Sequence, residues 1–273
     1  MQTIEQNVSS RYANAAAQRE EALCCPVNYD PRYLKIIPEE VIEKDYGCGD
    51  PSRHVHAGET VLDLGSGAGK ICFIAAQVVG KTGRVIGVDM TDAMLEVARR
   101  NAPIVAERLG YANVEFRKAR IQDLARDLEL PQREPLIKDN SIDVVVSNCV
   151  LNLVDPGAKQ QLFRELYRVI KSTGRAVISD IIAERPVPAT MQNDPELWSG
   201  CISGALTLEE FVESFKKAGF AKIEVLERSA EPWRTVQGIG FWSVTIRASK
   251  SADKIAPLPT LNFDIRKIPT KCC

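Results

Sequence analysis

The chain has 273 residues, 45% hydrophobic and 26% charged, with 35 Lys and Arg against 36 Asp and Glu and a net charge of -1. This is the composition of a globular protein of one large domain or two small ones, and it excludes a disordered or collagen-like chain. Balanced charge disfavours a nucleic-acid partner held by a basic face. No apolar run is long enough for a membrane helix, and the polar N-terminus lacks the apolar core of a secretory signal, so a cytoplasmic protein away from membranes is expected.

Residues 1–58 read as an N-terminal extension. Residues 9–23 favour a helix, Pro38 suits the first turn of a short one, and the glycines and proline of residues 46–51 mark a loop. From residue 59 the pattern alternates. Strands are predicted at Thr60–Leu64, Arg84–Asp89, 113–118, 142–147 and 175–180. Helices are predicted at Lys70–Val79, Asp92–Leu109 and 160–170, the last ending near Gly174. Short apolar strands separated by helices of this length indicate parallel βαβ units with both sheet faces covered. Residues 195–204 and Leu208–Ala218 read as helices, and 221–228 and 241–248 as two closing strands on a mixed edge. The expected fold is α/β: a doubly wound, mostly parallel sheet carrying the domain at 59–248, with a substrate-binding region at about 184–248. Residues 249–273, rich in Lys and Pro, read as a mobile tail.

Asp63, Gly65, Gly67 and Gly69 stand where the first strand passes into the first helix. Glycines there permit positive φ and close backbone approach to a ligand, and the helix start adds unpaired N–H groups. Asp89, twenty residues after Gly69 and at the end of the next strand, suits a ribose diol. The third glycine arrives one residue too early for a dinucleotide loop. A carboxylate at Asp63 repels pyrophosphate but suits an amino group, which favours S-adenosylmethionine as cofactor. A tight turn without a ligand is the competing reading.

There are 8 cysteines: Cys24, Cys25, Cys48, Cys72, Cys149, Cys201, Cys272 and Cys273. Disulfides are improbable in a reducing compartment, and a chain this long needs none for its core. Core filler, soft-ion ligands and redox groups remain. Cys72 reads as core filler and Cys272–Cys273 as an inert tail. Gly47 and Gly49 give the Cys48 loop room to move. His54 and His56 read as a surface pair, since no C-x-x-C is present to complete a zinc site.

With these residues in hand, the sequence resembles the class I S-adenosylmethionine-dependent methyltransferases over residues 59–180. It resembles the arsenite methyltransferases in particular through four segments: 22–25 with Cys24 and Cys25, 45–49 around Cys48, 147–153 around Cys149, and 198–206 around Cys201. The resemblance implies a seven-stranded Rossmann-like sheet and trivalent arsenic as substrate, taken as arsenite or its thiol conjugates. It implies Cys48, Cys149 and Cys201 as the arsenic ligands and Cys25 as an auxiliary thiol. It places Tyr46, Gly65, Gly67, Asp89, Met90, Ile121, Gln122 and Asn148 at the cofactor. It also implies a thiol or thioredoxin-type reductant; a monomer is expected. Ser66 stands where many relatives carry cysteine, and Gln122 where an acid is common.

Soft thiolates select a soft ion such as arsenic(III). Three of them leave its lone pair free to attack a methyl group, and a lone pair has no proton to lose. The scarcity of histidine, two in the chain, is harmless for such chemistry. Two rivals share the fold: a methyltransferase for a small organic acceptor such as a quinone precursor or sterol, and a non-catalytic thiol-rich metalloid binder.

Overall fold

The protein is described by a computed structural model covering residues 3–20, 23, 27–131 and 133–251. Cys24, Cys25, Cys272 and Cys273, and the tail from residue 252, lie outside the described residues. Among the described residues eight strands form one sheet: β1 (Thr60–Leu64), β2 (Arg84–Asp89), β3 (Val114–Lys118), β4 (Ile142–Asn148), β5 (Ile170–Ala183), β6 (Lys222–Arg228), β7 (Arg234–Val236) and β8 (Ile239–Ser249). Their order is β3-β2-β1-β4-β5-β8-β6, with β7 pairing to β8 alone. The first five are parallel. β8 runs antiparallel between β5 and β6, which gives the mixed edge. The expected seven strands form the continuous path, and the eighth is a three-residue hairpin arm.

The alternation of the strands divides the core. Val61, Val85, Val144 and Val177 face one side, with α4 (Lys70–Val79) and α5 (Asp92–Leu109) upon them. Leu62, Ile86, Val145 and Ile178 face the other, against α6 (Pro156–Val169) and α9 (Leu208–Ala218). Phe211 and Phe215 anchor α9 beside Phe163, and each is worth roughly 1.5–3 kcal/mol when fully buried. Thr207 and Glu210 start α9 with a reciprocal capping box, and left-handed Gly219 ends it.

Several predicted boundaries shift. The N-terminal helix α1 is Ile4–Ala17, not 9–23, because Thr3 and Gln6 form a capping box upstream. The short helices α2 (Pro31–Leu34) and α3 (Glu39–Glu43) follow it. α6 begins at Pro156, since the Asp155 carboxylate accepts from the Gly157 N–H at 2.8 Å. It passes at Ile170 straight into a 14-residue β5, so no loop falls at Gly174. A Cβ at Gly174 would stand 2.7 Å from the Asp143 carbonyl oxygen, so glycine is required there by close strand approach. The helix expected over 195–204 is broken. α7 (Ala189–Gln192) leads into α8 (Pro195–Ser199), which stops before Cys201 takes a left-handed conformation.

Candidate functional site

Strand order reverses direction between β1 and β4, and the crevice at their carboxyl ends is where open α/β sheets bind ligands. A cleft of about 1140 Å³, its open mouth included, lies there. Tyr46, Asp63, Gly65, Gly67, Asp89, Met90, Ile121, Gln122, Asn148 and Cys149 all line it. Gly69, also expected at the cofactor, does not. It caps α4 at φ 94°, and a Cβ there would stand 2.7 Å from the Phe116 ring and 3.1 Å from that of Phe73, so it shapes the turn from behind. Gly67 has φ 51° and open space where a Cβ would stand, so the backbone itself is offered to a ligand.

Polar groups around the loop are ready for a partner. The Ser66 hydroxyl is buried without a hydrogen bond among the described residues. Asp89 accepts from the Gly67 N–H at 2.9 Å and the Thr91 N–H at 2.8 Å, one on each oxygen. The Thr91 hydroxyl and the Met90 N–H also bond this carboxylate, which lines the cleft at the strand end. Met90 and Ile121 supply apolar walls, as a flat heterocycle needs. Five acids, Glu5, Asp45, Asp63, Asp89 and Asp155, line the cleft against two lysines, Lys70, which Asp45 pairs at 2.9 Å, and Lys44, which Glu40 pairs at 2.9 Å. The set suits a cationic nucleoside without phosphates, and so fits S-adenosylmethionine.

Asp63 is 2% exposed, and it accepts a hydrogen bond from the Cys72 thiol at 3.2 Å. Burial lifts its pKa from 3.8 to about 7; the Cys72 bond opposes the rise, while the charges of Asp89 and Asp45 add to it. A raised acid binds its proton more tightly folded than unfolded. Its contribution to stability is whole below 3.8 and is lost as pH rises toward 7. Asp63→Asn, which cannot ionise, is therefore expected to exceed the parent in stability by about 2–4 kcal/mol at pH 8, using 1.36 kcal/mol per pKa unit. The gain should shrink steadily toward pH 4. Urea unfolding across that range is the measurement, and a pH-independent difference would refute the assignment.

The cysteines come from three segments. Cys149 follows β4, and its N–H donates to the Ser179 carbonyl at 2.8 Å. Cys201 follows α8, and its sulfur lies 3.2 Å from the Cys149 carbonyl oxygen. Both residues sit at positive φ, 61° and 63°. Left-handed geometry is costly for a side chain with a Cβ, and such strain collects at functional sites. Val150, next to Cys149, presses on Gly65, where a Cβ would meet it at 2.5 Å, so the thiol region and the glycine loop share a wall.

Cys48 lies in the loop after α3. Asn148 Oδ1 accepts from the Cys48 and Gly49 N–H groups at 2.8 and 3.1 Å. Its Nδ2 donates to the Gly49 carbonyl at 2.7 Å and to the Tyr29 hydroxyl at 3.1 Å. Asn148 thus lines the cleft while its amide holds the Cys48 loop. The flanking glycines do not supply looseness. A Cβ at Gly47 would stand 2.0 Å from Asn148 Nδ2, and one at Gly49 2.6 Å from Ser179 Oγ. Close packing is what requires them.

The thiols of Cys48, Cys149 and Cys201 share one apolar cluster with Ile181, Met191, Ile202 and Phe241. Each is 5% exposed, and none of the three is in a disulfide. The structure brings Cys149 and Cys201 together. Among the described residues no three His, Cys, Asp or Glu groups are placed to hold one ion. Cys72 is fully buried on α4, as core filler would be, but it also serves Asp63 as a donor.

Sequence reasoning missed several neighbours. Tyr12 of α1 lines the cleft and hydrogen-bonds to Cys201. Tyr29 binds Asp45 at 3.0 Å, and Lys70 stacks on its ring at 3.9 Å. Buried Asp180 lies beneath Cys149 and bonds the turn that follows it. The polarity of Asp180 at the end of an apolar strand was the one signal available. The histidines are not a surface pair. Both ring nitrogens of His54 are buried without hydrogen-bond partners among the described residues, and burial with Arg247, Arg175 and Arg53 lowers its pKa to about 4. His56 joins Glu59 and Arg175 instead.

Residues 55–219 match a family model described as a methyltransferase domain. An arsenite methyltransferase of Aquipseudomonas alcaligenes is 38% identical over 226 residues, 81% of this chain and 62% of that protein. One of Halobacterium salinarum is 40% identical over 76% of this chain and 51% of its own length. The chain therefore spans between half and two thirds of these curated relatives. The crystal structure of an arsenic(III) S-adenosylmethionine methyltransferase from Chlamydomonas reinhardtii matches with a TM-score of 0.70 at 34% identity, over 82% of this chain and 74% of that one. Among the described residues no helix is long and apolar enough to cross a membrane. By family match and by fold, the chain belongs to the methyltransferase-domain proteins and, within them, to the arsenite methyltransferases.

Proposed function

We propose that the protein methylates trivalent arsenic, with S-adenosylmethionine as donor and Cys48, Cys149 and Cys201 as the thiolates that hold the acceptor. The observation that carries this reading is the Cys149–Cys201 pair. Two cysteines from distant segments are held in left-handed backbone, sulfur against carbonyl, beside a glycine loop suited to an adenosine-type cofactor.

The residues divide the work. Gly65, Gly67 and Ser66 offer backbone and hydroxyl to the cofactor, and Asp89, at the cleft wall, would meet the ribose diol. Met90 and Ile121 flank the base, and Tyr46 and Gln122 complete the wall. When bound, S-adenosylmethionine supplies an electrophilic methyl on a sulfonium centre. The acid-lined cleft favours that positive charge. Cys48, Cys149 and Cys201, which share one apolar cluster, would hold arsenic between them. The arsenic lone pair would take the methyl as the S–C bond breaks and S-adenosylhomocysteine leaves, and this transfer needs no base. Alignment of preset reactants is worth roughly 7–11 kcal/mol.

Arsenic rises from +3 to +5 as it gains the methyl, so turnover requires two electrons from a thiol or thioredoxin-type reductant. Cys25, outside the described residues, is assigned as the auxiliary thiol of the N-terminal extension at 1–58. We place the enzyme in the cytoplasm as a monomer.

Incubation with arsenite, S-adenosylmethionine and glutathione, followed by chromatographic arsenic speciation, tests the proposal. Methylated arsenicals are expected. Tight As(III) binding with no methylated product would instead identify a metalloid binder.

A further inference from the structure

The Cys149 and Cys201 segments are joined by a seam that the methyl-transfer chemistry does not itself require. Asp180, with no exposed surface, anchors one side. Its Oδ2 accepts from the Leu151 and Asn152 N–H groups at 2.9 and 3.3 Å. Its Oδ1 accepts from Asn152 Nδ2 and the Ile181 N–H at 2.9 and 2.8 Å. Three of these four donors belong to the short turn at Leu151–Leu153, which Val150 alone separates from Cys149, so the carboxylate holds that turn.

The Cys201 segment presses on that turn. A Cβ at Gly204 would lie 1.9 Å from the Asn152 carbonyl oxygen, so contact there is backbone to backbone. The Trp198 indole N–H donates to the Leu153 carbonyl at 3.1 Å. The remaining tie is a cation. Lys159, in the first turns of α6, reaches across to donate its ammonium to the Gly204 carbonyl.

That ammonium is withdrawn from water, which works against its charge. Four acidic groups favour the charge: Asp180 on β5, Cys201 itself, Glu210 on α9 and Asp155 at the start of α6. A neutral side chain of the same reach would be cheaper to bury. What the charge adds is a bond to the Cys201 loop and attraction for an anionic sulfur beside it. Charge-assisted hydrogen bonds are about twice as strong as neutral ones.

We propose that Lys159 is a positioning residue, fastening the Cys201 loop to the Cys149 turn so that the two sulfurs stand as a preset pair for a thiophilic acceptor. This rests on the reading that those two thiols hold arsenic.

Three measurements on the full chain test it: As(III) titration followed by tryptophan fluorescence, S-adenosylmethionine affinity by calorimetry, and cross-linking of Cys149 to Cys201 by dibromobimane, mapped by mass spectrometry. Lys159→Met is expected to weaken As(III) binding and to slow cross-linking by about tenfold or more, the scale of one hydrogen bond to a charged group. Cofactor affinity should stay within about twofold, because Lys159 itself does not line the cleft and its bond goes to the Gly204 carbonyl. Lys159→Arg, which keeps the charge and a donor, should recover most of both losses. The proposal fails if Lys159→Met binds As(III) and cross-links at the parent rates. It fails equally if cofactor affinity falls in step, or if arginine restores nothing. If the parent does not bind As(III) and cross-linking still depends on Lys159, the arsenic reading falls and the positioning role stands.

Discussion

Replacing Cys149 or Cys201 by serine is expected to abolish arsenic methylation while leaving S-adenosylmethionine affinity within a few-fold of the parent. The argument starts from ligand softness. A serine hydroxyl is hard and stays protonated near neutral pH, so it cannot stand in for a thiolate toward As(III). Losing one anchor of a preset pair should weaken As(III) binding by about three decades, near 4 kcal/mol. The fold should tolerate the change. Serine is nearly isosteric, and at position 201 its hydroxyl can still donate to the Cys149 carbonyl now 3.2 Å from the sulfur. Both positions are left-handed, at φ 61° and 63°, and serine bears the same Cβ, so no new backbone strain is added. Product speciation with calorimetric cofactor binding on the same samples separates the effects. Methylation by either variant at the parent rate would remove the thiolate site from the mechanism.

The cofactor half of this site was legible because its residues are local. Gly65, Gly67 and Asp89 follow strands whose apolar runs mark them, and the strand ends bring them to one cleft. The thiol half was legible only as motifs. Nothing in the one-dimensional pattern shows that Cys149 and Cys201 adopt left-handed backbone, since that conformation is imposed by partners far along the chain. Asp180, Asn152 and Gly204 meet through tertiary contacts that no periodicity encodes. Around Cys48 the glycines were visible and their reason was not. They suggested looseness, whereas the Asn148 amide and the Ser179 hydroxyl fill the space a Cβ would need. At β5 the glycine suggested a turn, yet Gly174 lies inside the strand. In each case a glycine records the absence of a side chain, and only the neighbour that occupies the space tells which use the fold makes of it.

Asn148→Ala is expected to lower kcat/KM for arsenic by about two decades, chiefly through KM for arsenic, with a smaller effect on the cofactor. The Asn148 amide makes four hydrogen bonds, to the Cys48 and Gly49 N–H groups, the Gly49 carbonyl and the Tyr29 hydroxyl. Alanine leaves these groups to find water or lose partners, at about 1–3 kcal/mol for each that stays buried and unpaired. The loop's other ties remain. Tyr29 still bonds Asp45, and Lys70 still pairs with Asp45. The consequence is therefore a loop attached at Asp45 and loosened at Cys48. Alkylation of Cys48, 5% exposed in the parent, should accelerate in the variant. Gly47→Ala gives the complementary case. It removes no polar group, but its Cβ would fall 2.0 Å from Asn148 Nδ2 and displace the same amide. Both variants should show the same raised KM and the same exposure of Cys48. If Asn148→Ala keeps Cys48 protected while arsenic turnover falls, then the amide acts on the cofactor directly, and the loop-holding role assigned to it is wrong.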